Sequence, residues 1–259
     1  MKLVKYQGAG NDFLIVDNRS GEVRLSVADI KQLCDRHFGF GADGLMLLNR
    51  AESPYDFSME YFNSDGSGGM LCGNGARCIV AFARDLGLDS FHFLASDGPH
   101  EATIVTEEGR GKIVRLKMGN VDAVERLAPS DFFLNTGTRH FVRLFNRFTP
   151  IDKEAANIRH QPRFLPEGVN VNYVYWDGEY LHVNTFEKGV EGETLACGTG
   201  VVASAIVAHN CLKLPGTEID VATRGGNFKV EFKEEGGQYS EVYLTGPTHY
   251  IGTLLTDPI

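Results

Sequence analysis

The chain has 259 residues, 42% of them hydrophobic and 23% charged, the proportions of a folded globular protein rather than a disordered or fibrous one. A formal charge of −9 counts against nucleic acid as a partner, because that affinity depends on neutralising phosphates. The longest uncharged run, 195–212, carries Gly, Ser, Thr, His and Asn and reads as a buried helix rather than a bilayer span, and the opening 1–8 lacks an apolar signal core, so a cytoplasmic protein is expected.

Along the chain, alternation and enrichment in Val, Ile, Tyr and Phe predict strands over 14–16, 57–62, 101–106 and 112–118 in the first half. The second half carries them over 141–145, 170–176, 180–186, 217–223, 227–232 and 239–244. A peripheral helix is expected over 26–36, with Ser26 as its cap and Asp29 completing a capping box. Ala76, Ile79, Val80, Ala83 and Leu86 recur at helical spacing over 76–88. The stretch 201–208 is small or branched apolar on every side, which marks a buried helix.

Self-similarity is the most informative feature. Cys72-Gly73-Asn74-Gly75 precedes one apolar helix and Cys197-Gly198-Thr199-Gly200 precedes the other, 125 residues later. Phe62-Asn63 and Phe186-Glu187 lie upstream of the two cysteines. Gly10-Asn11-Asp12-Phe13 and Gly137-Thr138-Arg139-His140-Phe141 lie further upstream, with Gly39-Phe40-Gly41 and Gly168-Val169-Asn170 between. Four landmarks recurring in order predict an α+β protein of two pseudo-symmetric halves. Each half is a mostly antiparallel, β-barrel-like sheet around a central helix. The halves are 1–120, carrying Cys72, and 121–259, carrying Cys197, with the last strands able to cross back; Gly119 and Pro129 flank the linker.

The five cysteines are odd in number and contain no Cys-x-x-Cys, which fits neither a disulfide scaffold nor a zinc ribbon. Cys34, Cys78 and Cys211 fall on helical apolar faces and read as packing. A helix N-terminus carries about half a positive elementary charge and unpaired N–H groups, so it lowers a thiol pKa and receives a carboxylate on the same amides. One such cysteine suits a thiol hydrolase, a redox enzyme or a small core residue. A pair suits two thiols on opposite faces of one carbon, the geometry for inverting a stereocentre. A phosphate loop is disfavoured, since neither glycine segment has a Walker lysine.

The chain resembles the diaminopimelate epimerase family over essentially its whole length. The resemblance rests on 5–13, on 35–44, on Phe62-Asn63-Ser64-Asp65-Gly66-Ser67 leading into Cys72-Gly73-Asn74-Gly75-Ala76-Arg77-Cys78, on Gly168-Val169-Asn170 and on Glu193-Thr194-Leu195-Ala196-Cys197-Gly198-Thr199-Gly200. It implies an isomerase without a cofactor or metal that interconverts LL- and meso-diaminopimelate for lysine and peptidoglycan precursor synthesis, acting as a homodimer. By the same resemblance Cys72 and Cys197 are the acid/base thiols. Asn11, Asn63, Asn170 and Lys188 hold substrate, and Gly73, Asn74, Gly198 and Thr199 receive its reacting carboxylate. Glu187 holds the substrate ammonium and tunes a thiol, and His140 tunes the other. Lys188 stands where the family usually has Arg, and Thr138-Arg139 where Asn-Pro or Ser-Pro is common. A racemase of another amino acid of the proline type, or a non-catalytic binding relative, is the competing reading.

Overall fold

A computed structural model describes residues 1–69, 72–214 and 216–257. The chain divides into two compact units, one built from Met1–Leu116 with the segment from Gly246 onward, the other from Lys117–Thr245.

In the first unit β1 (Lys2–Gly8) and β2 (Asn11–Asn18) form a hairpin whose two-residue loop, Ala9-Gly10, has positive φ at both positions. That turn matches the right-handed twist of the strands, and it sets Asn11 at the head of β2. Helix α1 (Val27–Cys34) follows, with Ser26 and Asp29 in the reciprocal capping box read from sequence. Next come β3 (Gly44–Asn49), β4 (Phe57–Asn63), α2 (Gly73–Asp85), β5 (His92–Ala95), β6 (Gly98–Glu108) and β7 (Gly111–Lys117). Strands β1 to β7 are hydrogen-bonded in sequence order. The end of the long strand β16 (Gln238–Leu255) pairs with both β7 and β1 and closes the ring. Only β2–β3 and β4–β5 are parallel. Helix α2 packs on β1, β2, β3 and β6, with 74–83 buried.

The second unit repeats this plan. Its elements are β8 (Glu125–Ala128), β9 (Asp131–Asn135), β10 (Arg139–Phe145), α3 (Lys153–Arg159), β11 (Asn170–Trp176), β12 (Leu181–Glu187), the short β13 (Gly192–Thr194), α4 (Gly198–Leu212), β14 (Glu218–Thr223) and β15 (Gly226–Glu235), with the first part of β16. The order is β8-β9-β10-β11-β12-β14-β15-β16, with β10–β11 and β12–β14 parallel and the remainder antiparallel. A bridge from Val121 to Tyr239 mirrors the closing pair of the first unit. Senses of pairing therefore recur in the same succession in both units, which is the pseudo-symmetry expected from the repeat. Helix α4 packs on β9, β10, β11, β12, β14 and β15, and Val201, Val202, Ala203, Ala205, Ile206, Val207 and Ala208 have no exposed surface.

Two readings change. Cys211, expected to pack, is exposed, because the last turn of α4 leaves the core before the left-handed residue Lys213 ends it. Cys34 and Cys78 are buried as expected, and burial pushes both thiols above their ordinary value. Strand β16 runs 18 residues, through Gly246-Pro247, where the sequence reads as a strand ending at 244. No helix among the described residues is long and apolar enough to cross a membrane.

Candidate active site

Each Cys-Gly-x-Gly segment caps a buried helix. Cys72 is the N-cap of α2, with φ −93° and ψ 118°, and Cys197 is the N-cap of α4, with φ −117° and ψ 110°. The first turn of an α-helix carries N–H groups that no carbonyl of the helix receives, and here those turns begin at Gly73-Asn74 and Gly198-Thr199, directly after each cysteine. A carboxylate placed there meets several donors and the positive end of the helix dipole.

Around Cys72, Asn11 is the organising residue. Its Oδ1 lies 3.6 Å from Cys72 Sγ and accepts from Asn74 Nδ2 at 3.4 Å, while its Nδ2 donates to Asp43 Oδ2 at 2.6 Å. Asp43 is tied to Arg36 at 2.7 Å, and Arg36 and Lys5 both pair with Asp12, at 2.7 and 2.9 Å. Burial would raise the Asp12 carboxyl, but bonds from Arg36 and Lys5 outweigh it and hold the pKa at about 2. Arg77, wholly buried, donates to Gly73 O at 3.1 Å and to Asn74 Oδ1 at 2.8 Å, which braces the first turn of α2 and brings a guanidinium near Cys72. Burial lowers the Arg77 pKa to about 10, so it stays charged at neutral pH. Asn63, at the end of β4, accepts from Tyr61 Oη at 3.0 Å and donates to Ser67 Oγ at 3.0 Å, which ties it to its own strand and loop.

Around Cys197 the surroundings differ. Sγ lies 3.5 Å from Thr199 Oγ1, and Thr199 Oγ1 lies 3.0 Å from Nε2 of the fully buried His140. His140 Nδ1 faces Asn172 Nδ2 at 3.0 Å, and Thr136 Oγ1 donates to Thr199 O at 3.0 Å. Burial, with the nearby Lys188 charge, lowers the His140 pKa to about 3. Asn170, buried at the start of β11, accepts from the Lys188 backbone N–H at 2.8 Å, which fixes the Glu187-Lys188 turn at the end of β12. Both of those side chains are half-buried. Arg139 is drawn to Glu167 at 2.8 Å and lies over the rings of Phe133 and Phe164, so the charge that departs from the family pattern is spent on a local ion pair.

The structure thus gathers Asn11, Cys72, Gly73 and Asn74 in one unit, and His140, Cys197, Gly198 and Thr199 in the other, with Asn170 bracing Glu187 and Lys188. Sequence reasoning missed Arg77, Thr136, Asn172 and Thr185 as parts of these surroundings. A signal for one of them existed. Asn172 stands 126 residues after Met46, so the repeat substitutes a polar for an apolar residue at an equivalent strand position. Among the described residues, no group of three or more His, Cys, Asp or Glu side chains is placed to hold a metal ion.

Comparison with known proteins bears on family and fold. The model of the family described as diaminopimelate epimerase matches residues 3–124 and 132–251. The diaminopimelate epimerase of Flavobacterium psychrophilum is 40% identical over 257 residues, covering 97% of this chain and 98% of its own length. That of Chlorobaculum tepidum is 38% identical over 269 residues, covering 95% and 98%. Among solved structures, a phenazine biosynthesis protein of the PhzF family from Bacillus anthracis superposes with a TM-score of 0.72 at 15% identity, covering 98% of each chain. A hydroxyproline epimerase from Agrobacterium vitis gives 0.66 at 17%, covering 100% of this chain and 93% of its own. The solved structures establish a shared fold, and the family match together with these relatives identifies the chain as a member of the diaminopimelate epimerase family.

Proposed function

We propose that this chain interconverts LL- and meso-diaminopimelate with the thiols of Cys72 and Cys197, one removing the proton of the substrate α-carbon and the other supplying its own proton to the opposite face. Family membership makes it an isomerase. The two-thiol reading rests above all on one observation: both cysteines are N-caps of buried helices at equivalent points of the internal repeat.

The chemistry asks much of such a site. An α-proton beside an ammonium and a carboxylate is very weakly acidic, so the charge that develops on deprotonation must be met by preorganised donors in a dry environment. The amides of Gly73-Asn74 and Gly198-Thr199 would receive the α-carboxylate, and Glu187 its ammonium. One thiolate takes the proton from carbon while the opposite thiol delivers its own, and product forms with the two protonation states exchanged. No cofactor enters this scheme. Asn11, Asn63, Asn170 and Lys188 would grip the remainder of the substrate. Lysine cannot form the two parallel bonds of a guanidinium fork, so Lys188 would hold a carboxylate as a point charge. Glu187 and His140 would bias the two thiols. The same reading includes a homodimer working in the cytoplasm on the lysine and peptidoglycan precursor route, with each half of the repeat a domain.

Each acid/base thiol is worth roughly 10²–10⁴-fold. Cys72→Ala and Cys197→Ala should each lower the epimerisation rate at least about a hundred-fold while circular dichroism and the urea midpoint stay near wild type. Wild-type turnover in either variant would overturn the reading.

A further inference from the structure

The surroundings of Cys197 contain a hydrogen-bond sequence whose direction is fixed at one end. Asn172, wholly buried on β11, has its Nδ2 3.0 Å from Phe141 O, a carbonyl that can only accept, and its Oδ1 2.9 Å from Thr185 Oγ1. The amide is therefore oriented, with its NH2 toward Phe141 and His140 and its oxygen taking the Thr185 hydroxyl proton. The second amide proton points at His140 Nδ1 from 3.0 Å, so Nδ1 must accept. A neutral imidazole that accepts at Nδ1 carries its proton on Nε2 and donates, here to Thr199 Oγ1 at 3.0 Å. Thr199 then has its own hydroxyl proton left for Cys197 Sγ, 3.5 Å away.

The other unit shows that the fold does not require this network. The β2–β3 pair Phe13↔Gly44 corresponds to the β10–β11 pair His140↔Asn170, so Phe13 is the counterpart of His140. Met46 is the counterpart of Asn172; the residue that pairs with Met46, Tyr61, corresponds by register to Thr185, and Met59 from the same strand fills the space beside Met46. A Cβ placed on Gly75 would lie 3.2 Å from Met46 Sδ and 3.6 Å from Met59 Cε. On Gly200 it would lie 2.4 Å from Asn172 Oδ1 and 3.3 Å from Thr185 Oγ1. One scaffold thus puts Phe and two Met beneath Cys72 but His, Asn and Thr beneath Cys197. Buried polar groups cost free energy unless every partner is supplied, and the apolar solution was available.

We propose that Asn172 is a positioning residue for Cys197: it holds His140 as the Nε2–H tautomer, which turns the Thr199 hydroxyl onto the Cys197 sulfur. No proton is transferred along the sequence; its effect is to present one hydrogen-bond donor to Sγ and so to favour the thiolate. Burial and the charge of Lys188 both disfavour the cationic form of His140. The inference rests on the acid/base role proposed above for Cys197, yet its primary test needs no substrate.

The test is long-range 1H–15N correlation on histidine-labelled protein, with cysteine 13Cβ shifts followed against pH. Wild type should show His140 protonated at Nε2 alone at neutral pH. Asn172→Asp replaces the donor by an acceptor and should bring a proton to Nδ1. The Cys197 titration should move while that of Cys72 stays in place, and kcat should fall roughly ten- to a hundred-fold with KM little changed. Asn172→Met, which installs the residue found in the other unit, should raise the Cys197 midpoint. Thr185→Val keeps the fold-determining volume and should move the same signals less far. His140 found as Nδ1–H or as imidazolium in wild type would overturn the proposal. So would any of these variants that loses the Nε2–H form yet keeps the Cys197 titration and kcat. Should both Asn172 variants fail to fold, the wild-type tautomer and Thr185→Val still decide. A wild-type protein with this tautomer but no epimerase activity would sink the functional reading and leave the positioning intact.

Discussion

His140 has no exposed surface, and withdrawing water penalises its cationic form. In the unfolded chain the ring titrates near pH 6.5; in the folded protein it does so at about 3. Between those values the unfolded state binds a proton that the folded state refuses, so stability falls as pH drops through the window, by at most about 1.4 kcal/mol per pH unit. Asp12 behaves oppositely in mechanism but over a lower range. Its pKa is depressed to about 2, so its contribution is present above its unfolded value of 3.8 and is lost as pH falls from there. Glu191 and Glu241, whose carboxyls are also held below their unfolded value of 4.5, begin to contribute only near that value, so the histidine is seen best from about pH 6.5 to pH 5.5. In urea unfolding across that interval, His140→Gln should lose stability less steeply than wild type; parallel curves would show that His140 is not held neutral. At this scale the sequence was read well for Ser26 and Asp29, whose capping chemistry is local. It was read less fully for Asn63, because an Asn before Ser-Asp-Gly gives no sign that its two amide groups are taken by Tyr61 and Ser67.

Helices α2 and α4 are equivalent elements with unlike neighbours, and their third residues separate the two cases. In α4 the Cβ of an alanine at 200 would come within 2.4 Å of Asn172 Oδ1, the oxygen of an amide held at both ends by hydrogen bonds. In α2 the nearest atom to one at 75 is Met46 Sδ, 3.2 Å away at the end of a flexible chain. Gly200→Ala should cost about 1–3 kcal/mol by overpacking, whereas Gly75→Ala should be near neutral, since it also gains up to about 1 kcal/mol of helix propensity. Urea midpoints measure both, and equal losses would contradict the contrast. These two helices were legible from sequence because glycines open them and apolar residues follow at helical spacing or without interruption. Strand β3, Gly-Leu-Met-Leu-Leu-Asn, was not, because it is buried on both faces and shows no alternation to tell it from a helix. Helix α3 is only seven residues long, too short to impose a period.

Across the whole chain, the repeat was the one long-range fact that sequence could carry; it pointed to a pseudo-symmetric, mostly antiparallel fold but gave no sign of which strand pairs are parallel. The network beneath Cys197 was beyond it. Thr136, His140, Asn172, Thr185 and Thr199 meet only because β10, β11 and β12 lie side by side against the start of α4. If the two thiols serve one substrate, mild oxidation should inactivate by joining Cys72 to Cys197, and dithiothreitol should restore activity. The experiment belongs in a Cys211→Ser background, since Cys211 is exposed and can link molecules. Inactivation that reductant does not reverse would count against a shared site. The most direct measurement of the two-thiol claim is turnover in deuterium oxide, analysed before the first few per cent of substrate is consumed. A thiol holds a single proton, so the sulfur that takes hydrogen from carbon cannot be the one that supplies it to the opposite face. Product diaminopimelate should carry one solvent deuterium at the inverted carbon while unreacted substrate keeps its protium, from either isomer. Product that retains protium, or substrate that acquires deuterium as fast as product does, would contradict it.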